Sequence, residues 1–147
     1  MNDKQLFKII CMSSFVTGVI LGILSLIPIL TGMALISVMF VSSPFVIIYL
    51  YKLNLIKELD IPKCLIIGGV TGFFAFIGFS LIYFPVSFIM YLILKLNSFI
   101  WIKVMFENMG FLIPAVCLTA LLCGLMNMFS AFMLLSLFDY FKFKKEE

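Results

Sequence analysis

Residues 9–51 read IICMSSFVTGVILGILSLIPILTGMALISVMFVSSPFVIIYLY, and none of them carries a charge. Two further charge-free stretches follow, at 64–94 and 108–138. The hydrocarbon core of a bilayer is about 30 Å thick and takes roughly 20 helical residues to cross. The first stretch is therefore long enough for two spans and each of the others for one, which predicts a membrane protein with four transmembrane helices.

The composition leaves room for a single membrane domain. Of the 147 residues, 65% are hydrophobic and 12% are charged. The predicted spans use nearly the whole chain, so no stretch remains that is long enough to bury a separate soluble core. The sequence predicts one all-α domain over residues 1–147, a polytopic membrane protein built as a four-transmembrane-helix bundle.

Prolines, glycines and charges set the predicted helix boundaries. Pro28 and Gly32 interrupt the first stretch, because proline disfavours helix before it and glycine permits a tight reversal. Asp60 followed by Pro62 is a helix-start signal. Pro85 predicts an end or a sharp kink of the third helix, since a longer helix needs a tilt of about 50° to fit the core. The predicted helices are 6–27, 33–52, 62–84 and 110–140.

The segment at 86–109 is predicted to be interfacial or re-entrant. It is apolar, but Lys95, Lys103 and Glu107 interrupt it without forming one polar helix face. Tyr91 and Trp101 are residue types that favour the headgroup level of a bilayer. This pattern is typical of a chain that lies in the interface or dips partway into the membrane.

Lysines are distributed unevenly between the two sides of the predicted membrane. The side with the termini and the central linker carries Lys4, Lys8, Lys52, Lys57, Lys63, Lys142, Lys144 and Lys145, and the opposite side carries Lys95 and Lys103. Because cytoplasmic segments are enriched in lysine and arginine, both termini are predicted to be cytoplasmic. The predicted location is the cell membrane, inner or plasma.

Small residues form a stripe on three of the predicted helices. Positions three or four apart share a helix face, and small side chains there let backbones approach closely in lipid, where no hydrophobic force drives association. The helix-packing candidates are Gly18 and Gly22, which form a GxxxG motif, Gly68, Gly72 and Ala75, and Gly124. The stripes predict packing within one bundle or, alternatively, an interface between copies of the chain.

Asn127 is a strongly polar side chain deep in the last predicted span. Because an unpaired amide is costly in hydrocarbon, we expect Asn127 to face inward and to bond the hydroxyl of Ser14 or Thr17, or a backbone carbonyl. The sequence Ser42-Ser43-Pro44 marks a second irregularity, since proline frees a carbonyl one turn earlier that the serines or a water can satisfy. An interhelical hydrogen bond and a static kink are the favoured interpretations, over a ligand contact and a hinge.

The predicted spans lack the residues that catalysis and ion coupling use. The chain contains no histidine, and the charge-free stretches contain no carboxylate for proton or sodium coupling. Cys117 and Cys123 are six positions apart and so lie on different helix faces, which does not suit metal binding. The sequence predicts no enzyme, no cofactor, no metal site and no nucleic-acid partner.

Two classes of function remain open. The first is a non-catalytic helix-packing or accessory protein, whose partners are the lipid bilayer and either further copies of itself or a larger membrane complex. The alternative is a small transporter or channel subunit that uses the uncharged polar groups of Asn127, Ser14, Thr17 and Thr119. A weak repeat of Val16-Thr17-Gly18 at residues 70–72 agrees with the alternative, because some transporters contain internal repeats.

Overall fold

The computed structural model describes residues 3–27, 29–56, 60–94, 103–104 and 107–143. These residues form an all-α bundle with four helices that are long and apolar enough to cross a membrane. The helices are α1 (Asp3–Leu24), α2 (Thr31–Lys52), α3 (Ile61–Leu94) and α4 (Met109–Phe143). Four spans place the two ends of the chain on one side of the membrane, which we call the termini side.

The reversal between α1 and α2 is one residue longer than the sequence predicts, and it is displaced toward the N-terminus. Helix α1 ends at Leu24 instead of 27, and α2 begins at Thr31 instead of 33. The Ser25 hydroxyl donates to the Gly22 carbonyl at 2.7 Å, and the Thr31 hydroxyl donates to the Ser25 carbonyl at 2.7 Å. These bonds satisfy carbonyls that the end of α1 leaves free, and they tie the two helices together at this end.

Helix α2 contains one turn of π-helix. It is α-helical over Thr31–Ile36, π-helical over Ser37–Val41 and α-helical again over Ser42–Lys52. The wider turn adds one residue to the helix just before Pro44. A π turn of this kind shifts the hydrogen-bond register and leaves backbone groups that need other partners.

The prediction that helix three ends at 84 is wrong, because α3 continues through Pro85 to Leu94. Continuing the helix costs one backbone hydrogen bond, to the Leu81 carbonyl. Ending it at Pro85 would leave four carbonyls without partners in an apolar stretch. Including the headgroup layers, a bilayer is about 40–45 Å thick, so a helix of roughly 50 Å fits with a moderate tilt.

The predicted interfacial segment is corrected by the same finding. Its first part, 86–94, belongs to α3. Residues 95–102, 105 and 106 lie outside the described residues, so most of the remaining segment does too. Helix α4 then begins at Met109, one residue before its predicted start, and Pro114 lies in its second turn.

Two buried clusters fill the bundle. The cluster nearer the termini side draws on all four helices and includes Ile10, Ile47, Ile67 and Leu135. The second cluster lies farther from the termini and includes Val38, Phe79, Ala120 and Cys123. Asn127 of α4 lies one turn beyond Cys123 and one turn before Ala131, so it lies between the two clusters.

Candidate functional site

The side chain of Asn127 is fully buried and bonds the backbone of α2. Its Oδ1 accepts a hydrogen bond from the Ser43 N–H at 2.8 Å. Its Nδ2 donates to the carbonyls of Val38 at 2.8 Å and Met39 at 2.9 Å. A further carbonyl, that of Cys123 in the same helix, lies 2.9 Å from Nδ2. The amide therefore joins α4 to the π turn of α2.

The π turn explains why these backbone groups are available. The Ser42 N–H bonds the Ser37 carbonyl, five residues earlier, and Pro44 has no N–H to donate. The helix register is therefore interrupted between 38 and 44, and Asn127 supplies both a donor and an acceptor at the interruption. The Ser42 hydroxyl adds a donor, at 3.2 Å from the Val38 carbonyl.

Asn127 has no donor capacity left for a guest molecule. A primary amide carries two N–H groups, and three carbonyls already share them. The sequence predicted an inward-facing Asn127 and offered a backbone carbonyl as one partner. It also offered Ser14 and Thr17, but their hydroxyls bond their own helix, at the carbonyls of Ile10 (2.6 Å) and Ser13 (2.9 Å).

Buried hydroxyl groups lie at the same depth as Asn127. An added Cβ at Gly72 would be 2.7 Å from Asn127 Nδ2, so the neighbouring Thr71 is level with the amide. Gly18 of α1 contacts Ala75 of α3. Ser14 and Thr71 each lie four residues, or about one turn, before these positions, so they are at the same depth. Ser14, Ser43, Thr71 and Asn127 form what we call the polar layer, and each is fully buried.

Two members of the polar layer have unused hydrogen-bonding capacity. The hydroxyls of Ser43 and Thr71 have no hydrogen-bond partner among the described residues. A buried polar group without a partner costs about 1–3 kcal/mol. Within the polar layer, these two hydroxyls remain free to bond a water or a polar guest.

Small residues line the contacts between α3 and its two neighbours. Gly18 lies against the backbone of Ala75, and an added Cβ at Gly22 would be 2.9 Å from the Phe79 carbonyl oxygen. A Cβ at Gly68 would be 2.7 Å from the Asn127 carbonyl oxygen, and one at Gly124 would be 3.1 Å from that of Gly69. The predicted stripes thus face other helices of the same chain.

Two predicted pathway residues lie away from the polar layer. Thr119 is half-buried, and its hydroxyl bonds the Ala115 carbonyl of its own helix at 2.8 Å. Thr17 lies on the side of α1 that faces a groove beside α2. The structure therefore brings Ser14 and Asn127 to one depth, near Gly72, but does not place Thr17 or Thr119 there.

Sequence reasoning missed the Cys64 hydrogen bond and the pairing of the Ser43 N–H with Asn127. The Cys64 thiol donates to the Ala131 carbonyl at 3.1 Å and links α3 to α4. Only the Ser-Ser-Pro sequence gave a signal for an irregular backbone in α2. Within the described residues, no group of three or more His, Cys, Asp or Glu side chains is arranged to hold a metal ion.

These features define the class of protein. It is a four-span helical membrane bundle in which the Asn127 side chain completes the backbone hydrogen bonds of the π turn in α2. Comparison of the chain with protein-family models, with curated proteins and with solved structures finds no significant match.

Proposed function

We propose that this protein is a non-catalytic membrane protein that acts through helix association, either with further copies of itself or within a larger membrane complex. The observation that carries the proposal is the bonding of Asn127. Both N–H groups of the buried Asn127 amide are used in hydrogen bonds to backbone carbonyls of the protein itself. These hydrogen bonds stabilise the helix bundle. We therefore place the function on the outer surface, where other helices can bind.

The lysine distribution supports cytoplasmic termini and a place in the inner or plasma membrane. Cysteines introduced at Lys57 and Lys103 test the orientation, since thiol labelling should find them on opposite sides of the membrane. Labelling of both from one side would contradict the four-span arrangement.

The mass of the particle that the protein forms in the membrane tests whether it associates with further copies or with another protein. The protein is extracted from cells at native expression in polymer-bounded lipid discs, without detergent, and its mass is measured by native mass spectrometry. One chain has a mass of 16.7 kDa. We expect a particle that contains two or more copies or a second protein, whereas particles holding a single chain throughout would contradict the proposal.

A small transporter or channel subunit is the second candidate, and the polar layer favours it. Ser43 and Thr71 present buried hydroxyls without partners at the depth of Asn127. Hydroxyls in such positions suit the passage of an uncharged or weakly solvated polar molecule. Entry of water to this layer separates the two candidates.

A further inference from the structure

A groove runs between α1 and α2 on the outer surface of the bundle. It consists of two adjoining depressions of about 450 Å³ and about 250 Å³. Both are lined by Thr17, Ile20 and Phe45, and the larger extends toward the termini side as far as Ile9 and Tyr49. The groove is therefore continuous and opens laterally into the membrane.

The packing of α1 explains why the groove exists. The hydroxyl of Thr31 ties α1 to α2 at the end far from the termini. Toward the termini, Gly18 brings α1 close to α3, where it contacts Ala75. Near the termini, Ile10 of α1 shares a buried cluster with Ile47 of α2, so the two helices pack together there as well. The groove is the outer side of this contact, between Thr17 of α1 and Phe45 of α2.

The length of the groove matches one leaflet of a bilayer. From Ile9 to Ile20 the helix rises about 17 Å, at 1.5 Å per residue. Half of the hydrocarbon core is about 15 Å thick. The groove therefore runs from the termini-side interface to about the middle of the core, the depth that one acyl chain of that leaflet reaches.

The lining suits a hydrocarbon chain. Ser13 and Thr17 line the larger depression, and each hydroxyl already donates to a carbonyl of its own helix, at 3.0 Å and 2.9 Å. These two hydroxyls therefore require no hydrogen bond from the occupant, and Tyr49, the third polar side chain of the lining, lies toward the termini side.

Positive charge lies at the open end of the groove. Lys52 lies one turn after Tyr49, on the same face of α2. Lys8 lies one turn before Met12, which lines the groove, on the same face of α1. Both lysines are exposed. An occupant with a hydrocarbon chain in the groove thus has its head group beside two cations.

We propose that the groove binds an anionic phospholipid of the termini-side leaflet, with one acyl chain between α1 and α2 and the phosphate beside Lys52 and Lys8. This interaction is independent of the proposed function. It is argued from the length, the lining and the charge of the groove, none of which involves the polar layer.

Native mass spectrometry of the purified full-length protein tests the proposal. The protein in detergent micelles is titrated with dioleoyl phosphatidylglycerol or with dioleoyl phosphatidylcholine. We expect tighter binding of phosphatidylglycerol, and we expect Lys52→Gln to weaken it roughly fivefold, the change that corresponds to one lysine at a charged lipid surface. Lys63→Gln, an exposed lysine on the same side in α3, is the matched control and should leave binding unchanged.

A second variant tests the groove itself. Thr17→Phe fills the point where the two depressions meet and should reduce retention of both lipids, while Ile66→Phe, at an exposed position of α3, should not. Equal binding of the two lipids with no effect of Lys52→Gln would overturn the proposal and show ordinary boundary lipid. A lipid-free dimer that Thr17→Phe dissociates would instead assign the groove to a second copy. Thermal unfolding of each variant shows that it is folded.

Discussion

Replacing Asn127 with leucine should destabilise the bundle by about 2–5 kcal/mol, because three interhelical hydrogen bonds are lost at roughly 0.6–1.7 kcal/mol each. Leucine leaves the Ser43 N–H and the carbonyls of Val38 and Met39 without these partners in a buried, apolar setting. The measurement is the unfolding of purified protein by SDS in mixed micelles.

Thr119→Val is the matched control for Asn127→Leu. It also removes a polar group from α4, but the Thr119 hydroxyl bonds only its own helix and is half-buried. We expect a change in unfolding free energy within about 0.5 kcal/mol, as for most substitutions away from such features. If Asn127→Leu unfolded at the same SDS concentration as Thr119→Val, the bonding of Asn127 to the π turn would not stabilise the fold.

Gly72→Leu should prevent assembly of the bundle. A Cβ at this position would overlap the Cys123 carbonyl oxygen and lie 2.7 Å from Asn127 Nδ2, so α3 and α4 must separate before any larger side chain fits. Gly72→Ala adds only the Cβ and should cost about 1–3 kcal/mol through overpacking. The amount of monodisperse protein and its SDS unfolding measure both effects.

Gly110→Leu provides the control for the glycine prediction, since a Cβ there meets nothing within 4 Å. Phe74→Leu is a second comparison, because it shortens a half-buried ring that packs edge-to-face against the neighbouring Phe73. Both variants should assemble. Equal tolerance of leucine at Gly72 and at Gly110 would show that the close approach of α3 and α4 does not limit the fold.

The four spans could be predicted because charges cannot enter hydrocarbon cheaply, so the charge-free stretches mark the helices directly. Asp60 and Pro62 likewise marked the start of α3, which begins at Ile61. The end of α3 could not be read in the same way. Pro85 is a strong signal for helix ends in water, but in a membrane an interrupted helix costs more than one lost hydrogen bond.

The site was predictable in part. The polarity of Asn127 and the Ser-Ser-Pro sequence each drew attention to a position, but no sequence rule connects them. Their contact depends on the register of α2 against α4 and on the π turn, both of which arise from packing among four helices. The same holds for the groove at Thr17, which follows from how α1 packs against α2 and α3.

Thiol reactivity of Cys123 tests the central claim that the interior of the bundle is structural and dry. Cys123 is fully buried beside Gly72 and contacts Asn127 through its carbonyl, so it reports on the polar layer in the wild-type chain. A charged methanethiosulfonate reagent needs water to reach a thiolate. Cysteines introduced at Lys57 and Lys103 are the controls for access from each side.

Peptide mapping after labelling from both sides gives the result. We expect the control cysteines to react within minutes, each from its own side, and Cys123 to remain unlabelled until SDS unfolds the protein. Labelling of Cys123 in the folded protein at a rate near that of the controls would reveal a water path through the polar layer. That result would contradict the structural role of Asn127 and favour transport.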